Sequence, residues 1–327
     1  MANSVMDRLG EAYQSLWVLS VVRTAYDRGV LRALAEGDVI NEEALSLRTG
    51  LGSDVLRGLL DCLCALELAE PRSAALPTLT AQGMGLLGPM EAMVFSDLHS
   101  TLGLHAELWT RLEDATDALE GWSATDARLV DAQARHSEAV TSKFDQLLTM
   151  AMPGFNERVA RGGAKFLDLG AGAAGALVAF ARLYPRLHVV GIEPSPVARQ
   201  LGRKRIAESG VADRVELRAG VADDITEENE YACIYVAQMF FPEHAWRGAL
   251  PKMLRALEPG ASVVTAATCR PGDDLGAALS RFKTGVWGGG RRTAERLVTD
   301  FLEAGFAMAR VLPVPGPLGV VLAQKAP

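Results

Sequence analysis

The chain has 327 residues, 49% hydrophobic and 22% charged, with 32 glycines and 15 prolines; this is ordinary globular composition at a length that suits about two domains. Its 33 Lys and Arg against 40 Asp and Glu give a net charge of −7, which excludes general attraction to nucleic acid or acidic membrane surfaces. Four cysteines without zinc spacing, no basic leader followed by an apolar stretch, and no apolar run near the ~18 residues of a membrane span predict a reduced, cytoplasmic, soluble protein that binds no metal.

Val5, Leu9, Tyr13, Leu16 and Trp17 recur at helical spacing and predict a helix to about Arg28. The segment Val5 to Tyr26 carries more apolar surface than one face of a lone helix needs, which predicts a homodimer. Asn41 followed by Glu42 and Glu43 opens a short helix ending near Thr49-Gly50. Ser53 is expected to cap the next helix, whose Val55, Leu56, Leu59, Leu60, Leu63 and Leu66 share a face. Two short extended pieces around a proline-containing turn follow, then a helix from Ala81. Three helices and a β-wing are the winged-helix order. DNA binding is disfavoured, because residues 38–70 hold Asp38, Glu42, Glu43, Asp54, Asp61, Glu67 and Glu70 against only Arg48 and Arg57. The module reads as a packing and dimerisation element.

Helices continue through residues 89–160, the longest expected from Asp126 to Met152 with Phe144, Leu147, Leu148 and Met150 as an apolar patch, and Pro153-Gly154 breaking it. From Lys165 the pattern changes to alternating strand and helix, and the chain closes on two strands joined by a Pro/Gly turn. The expected class is α/β: a parallel, Rossmann-like sheet with helices on both faces and a C-terminal antiparallel hairpin, preceded by a mainly helical domain. The domain boundary falls at 160, giving units 1–160 and 161–327.

The strongest local pattern is the segment Phe166-Leu-Asp-Leu-Gly170-Ala-Gly172-Ala-Ala-Gly175, set between a strand and a helix. Glycine lets the backbone turn and approach a ligand where a Cβ would collide, and the helix N-terminus then faces that ligand. Glu193 follows the next strand, where a carboxylate can accept two hydrogen bonds from ribose hydroxyls. A tight turn without ligand, a dinucleotide loop on Gly170, Gly172 and Gly175, and a loop for S-adenosylmethionine are the three readings. Asp168 stands two residues before the first glycine, where a dinucleotide strand is usually apolar. An acidic residue there suits the ammonium group of S-adenosylmethionine.

LDLGAGAAG with GIEP, and the strand order that follows, resembles the class I S-adenosylmethionine-dependent methyltransferases. The winged helix and the segment Gly289 to Thr293 within GGGRRTAERLVTDFLEAGF make it similar to the small-molecule O-methyltransferases of plants and bacteria, which dimerise through their N-terminal domain. The resemblance implies methyl transfer to a small secondary metabolite. It places the cofactor on Asp168, Gly170, Ala171, Gly172, Glu193, Pro194, Gly220, Val221, Ala222, Asp223 and Gln238. Two departures stand out. The family usually has Asp where this chain has Val221, so a contact to the adenine amino group falls to Asp223, backbone or water. The family commonly has a His base after the fourth strand, where this chain has Met239. His99, His105, His136, His188 and His244 lie elsewhere on helices and a strand start, so no catalytic base is identified. Phe144, Met150, Met239, Phe240, Phe241 and Trp287 are the candidates to line an apolar acceptor pocket. An enzyme that uses the same cofactor without methylating, and a winged-helix regulator that only binds it, are the alternatives.

Overall fold

The computed structural model describes residues 5–39, 41–72, 75–113, 126–141, 151–314 and 319–327. The chain divides into two compact units, Met1–Leu102 and Gly103–Pro327.

In the first unit, α1 (Val5–Asp27), α2 (Val30–Glu36), α3 (Glu42–Thr49) and α4 (Ser53–Ala65) precede an antiparallel pair, β1 (Ala69–Arg72) and β2 (Ala75–Leu79), and then α5 (Ala81–Gly85). Asn41 caps α3 as its type predicts, its side chain accepting from Ala44 N at 2.9 Å, and Gly50 ends that helix at φ 68°. At α4 the cap is Gly52, because the first helical bond runs from Leu56 N to Gly52 O; Ser53 is already inside the helix. Leu56, Leu59, Leu60 and Leu63 of α4 bury together with Leu31 and Leu45, while Val55 points outward. On α1 only Ala25 is buried, and Val5, Met6, Leu9, Tyr13 and Trp17 are exposed.

The helix α6 (Glu91–Glu113) leads into the second unit, where α7 (Ala127–Thr141) and α8 (Pro153–Arg161) precede the sheet. The long helix expected to reach Met152 is described only to Thr141. Met152 is the N-cap of α8, and Pro153 is its first residue, where a missing N–H costs nothing. The proline expected to break a helix is thus the first residue of one. Phe144, Leu147, Leu148 and Met150 lie outside the described residues.

Seven strands form one sheet: β3 (Lys165–Leu169), β4 (His188–Glu193), β5 (Val215–Ala219), β6 (Tyr231–Val236), β7 (Leu257–Ala267), β8 (Met308–Leu312) and β9 (Gly319–Gln324), in the spatial order β5-β4-β3-β6-β7-β9-β8. The first five run parallel, and β8 and β9 form the antiparallel hairpin at one edge. Side chains alternate across β3: Phe166 packs with Leu177, Val178 and Phe180 on one face, and Leu167 and Leu169 with Ile192, Ile234 and Trp246 on the other. The chain leaves β3 toward β4 on one side and β6 lies on the other, so the strand order reverses between β3 and β6. Ligands of open α/β sheets bind at the carboxyl ends of strands beside such a switch. No described helix is long and apolar enough to cross a membrane.

Candidate cofactor site

Strand register brings the carboxyl ends together: Leu169 lies beside both Ile192 and Val236, and Glu193 beside Ala219. Gly170 turns at φ 80° and Gly172 at φ 55°, both left-handed, before the helix α9 (Gly175–Leu183) begins. Gly170 N and Ala171 N both donate to Ile192 O, at 2.9 and 3.1 Å, which ties the loop to the end of β4. A Cβ built on Gly172 meets nothing within 4 Å, so that side of the loop is open.

The third glycine has a different role. A Cβ on Gly175 falls 1.8 Å from Ala134 O, so the absent side chain is what lets α7 lie against the loop. The G-x-G-x-x-G pattern therefore joins two left-handed turn glycines to one packing glycine.

Glu193 is buried, and both of its oxygens accept backbone bonds: Oε2 from Gly172 N at 2.8 Å, Oε1 from Ser195 N at 2.7 Å. Burial raises its pKa, and these two bonds and the nearby Arg199 guanidinium oppose the rise. Each oxygen keeps a lone pair for a further donor. Asp168 is 2% exposed, and its Oδ1 has no hydrogen-bond partner. Burial first, and the Glu193 charge second, push its pKa up to about 7. A buried acceptor without a donor is costly, so this oxygen is suited to a cationic or donor group of a ligand. Pro194 is exposed, and Ser195 caps the helix α10 (Pro196–Glu208) through Ala198 N at 3.3 Å.

After β5 and Gly220, Val221 caps a short 3-10 turn of Ala222–Asp224. Asp224 Oδ2 accepts from Val221 N at 2.8 Å, so that carboxylate is occupied within its own turn. Val221 is 49% exposed, Ala222 is buried and Asp223 is exposed.

After β6 a second 3-10 turn spans Gln238–Phe240, followed by the helix α11 (Glu243–Ala256). Gln238 is fully buried; its Nε2 donates to Ala266 O and its Oε1 accepts from Arg292 Nε, both at 2.9 Å. Expected as a cofactor contact, its side chain is instead enclosed and committed to the frame beneath the site. Met239 is buried, and Gly289 presses on its backbone so closely that a Cβ there falls 2.4 Å from Met239 O. The Phe240 and Trp287 rings meet at 5.2 Å between centroids. Trp287 closes the helix α12 (Leu275–Val286). An edge of Phe241 lies 3.6 Å from the position a Gly170 Cβ would take, which sets this aromatic ring against the glycine loop.

Residues 166–260 match the family described as "Methyltransferase domain". This segment, from β3 to the start of β7, is similar to methyltransferase domains. Phenazine O-methyltransferase PhzM of Lysobacter antibioticus is 27% identical over 208 residues, 58% of this chain and 58% of that protein; the match thus spans little more than half of the curated relative. Human N-acetylserotonin methyltransferase, solved in complex with SAM, superposes with a TM-score of 0.70 at 16% identity over 100% of this chain and 99% of that one. The mitomycin 7-O-methyltransferase MmcR gives 0.68 at 17% identity over 98% of each chain. These likenesses extend over the helical N-terminal region as well as the sheet, and they establish the fold.

The structure gathers Asp168, Gly170, Ala171, Gly172, Glu193, Pro194 and the 220–223 segment at the carboxyl ends of β3, β4 and β5, with Met239 and Phe240 across the switch point and Trp287 against Phe240. Phe144 lies outside the described residues. Arg292 is the residue sequence reasoning passed over. In the sequence it stands only as part of the Gly289 to Thr293 segment, and neighbouring Arg291 is exposed.

Proposed function

We propose that this chain is an S-adenosylmethionine-dependent enzyme that methylates a small, ring-bearing metabolite of secondary metabolism, working in the cytoplasm as a homodimer. The observation that carries the reading is the pair of buried carboxylates around an open glycine loop. Glu193 offers acceptors for ribose hydroxyls, and Asp168 offers one for an ammonium group. A pyrophosphate on the loop would meet the buried Asp168 carboxylate, and the Gly172 N–H it would need already donates to Glu193. That argues against a nicotinamide dinucleotide. When bound, the cofactor supplies a methyl group on a positively charged sulfur that a nucleophile can take directly.

The chain's own part is binding and alignment. Gly170 and Gly172 let the backbone close on the ligand, and Val221 presents an apolar wall beside Gly220. Met239, Phe240 and Trp287 offer an apolar bed for the acceptor, and holding two reactants in line is itself a large source of rate. No titratable base stands at 237–242, so the acceptor is one that needs little deprotonation: an ionised phenol, an amine or an enolate carbon. The Met at this position also favours a second reading, a reaction of the same cofactor without methyl transfer. Calorimetry with S-adenosylhomocysteine and with NAD tests the site; tighter binding of NAD would refute it. Incubation with methyl-labelled cofactor separates the two readings, since methylation leaves S-adenosylhomocysteine and a labelled product, whereas the alternative leaves the cofactor intact or cleaved elsewhere.

Met239→His, assayed with hydroxylated and aminated phenazines as acceptors, is expected to give no rate gain. An increase approaching the ~100-fold of general-base catalysis would identify a hydroxyl acceptor served by an impaired base. The exposed apolar residues of α1 motivate the dimer. Light scattering should give twice the chain mass of 34.9 kDa, and a stable monomer at micromolar concentration would refute it. A gel shift with random-sequence duplex should show no DNA binding, as the acidic 38–70 segment implies.

A further inference from the structure

Arg292 is 3% exposed and its guanidinium reaches four acceptors of one turn. Nε donates to Gln238 Oε1 and Nη2 to Gln238 O, both at 2.9 Å; Nη2 also donates to Phe241 O, and Nη1 to Glu243 Oε2 at 2.9 Å. Burying a guanidinium is expensive, and here the one carboxylate paired with it, Glu243, is more than half exposed, with the buried Asp300 carboxylate attracting it from farther off. An apolar residue of similar volume would leave the buried Gln238 acceptors without a donor. Nor could it hold a side-chain amide, two carbonyls and a carboxylate in one fixed arrangement, which the planar fork does. The same segment grips the turn at two more points: Gly289 against the Met239 backbone, and Trp287 against Phe240. Residues 287–292 thus hold 238–243 almost residue by residue. The turn in turn sets the Phe241 ring against Gly170.

We infer that Arg292 is a positioning residue of the cofactor pocket, acting through the 238–243 turn and the Phe241 ring on the glycine loop. This role rests on the S-adenosylmethionine reading above. A residue that only stabilised the fold would lower the melting temperature and leave the affinity of the folded protein unchanged. A positioning residue changes affinity, and does so non-additively with the residue through which it acts.

The test is a double-mutant cycle with S-adenosylhomocysteine, measured by calorimetry well below each variant's melting temperature. Arg292→Lys keeps the charge but not the fork; Phe241→Ala removes the ring. Each is expected to weaken binding about tenfold, and the double variant no more than the weaker single one. Wild-type affinity in folded Arg292→Lys, or a double variant weakened by the product of the two, overturns the role. If Arg292→Lys does not fold, Gly289→Ala pushes on the same turn at the Met239 backbone and enters the cycle in its place; additivity with Phe241→Ala is again the overturning result. Absence of binding in the wild-type protein would instead refute the cofactor reading, and the role of Arg292 with it.

Discussion

Gly172→Val is expected to weaken S-adenosylhomocysteine binding by more than 100-fold while the protein stays folded, and Gly175→Ala to do the reverse. At Gly172 a side chain has open space, so the fold bears only the strain of a β-branched residue at φ 55°, on the order of 1–3 kcal/mol. A domain with ~5–15 kcal/mol of stability tolerates that. The added methyl groups project from the open side of the loop, where the ligand must approach. At Gly175 the new Cβ would overlap Ala134 O, at 1.8 Å, so α7 has to shift. Overpacking of that kind costs about 1–3 kcal/mol or more. Calorimetric titration and thermal unfolding of both variants separate the effects. Binding by Gly172→Val within tenfold of wild type would show that the ligand does not use this side of the loop.

Asp168→Asn is expected to stabilise the ligand-free protein at pH 8 while weakening S-adenosylhomocysteine binding at least tenfold. The folded-state pKa of Asp168 is raised from 3.8 to about 7, so between these values the folded protein holds a proton that the unfolded chain has released. The stability this confers is complete below about pH 4 and is lost as pH rises through about 7. The span corresponds to about 4 kcal/mol at pH 8 as an upper bound. The neutral amide removes the buried charge, and relieves Glu193 of its neighbour's repulsion. The variant's melting temperature should therefore exceed wild type at pH 8, and the advantage should vanish toward pH 4. Ligand should stabilise the wild-type protein more than the variant, because the unpartnered Oδ1 then gains a donor. A variant that is less stable than wild type at pH 8 would show that Asp168 already has a partner in the ligand-free protein.

The readings that needed only neighbours along the chain were legible in the residues. The cap at Asn41, the first-turn Pro196, the strands on either side of α9 and the two left-handed glycines follow from local propensity and from hydrophobic period. So does Glu193, which stands at the end of the next strand and needs only parallel pairing with β3 to reach Gly172. Short-range differences are also local in kind: at α4 the chain takes its cap one residue early, at Gly52, and at Pro153, where a helix stop is expected, a helix starts.

Roles set by contact across the chain were not legible. Gly175 belongs by spacing to the ligand loop, yet it is small because of Ala134 on another helix. Gln238 sits by sequence where a cofactor contact belongs, yet its amide is taken by Arg292, 54 residues away, and by Ala266. The shifted pKa of Asp168 exists only because folding removes water around it and brings Glu193 close. Backbone conformation and burial pattern are encoded over a few residues, so the sequence by itself determines the strands, the helices and the glycine turn. Which polar group is left without a partner, and which glycine is required by another helix, depends on atoms that meet only when distant segments pack, and that the tertiary structure alone decides.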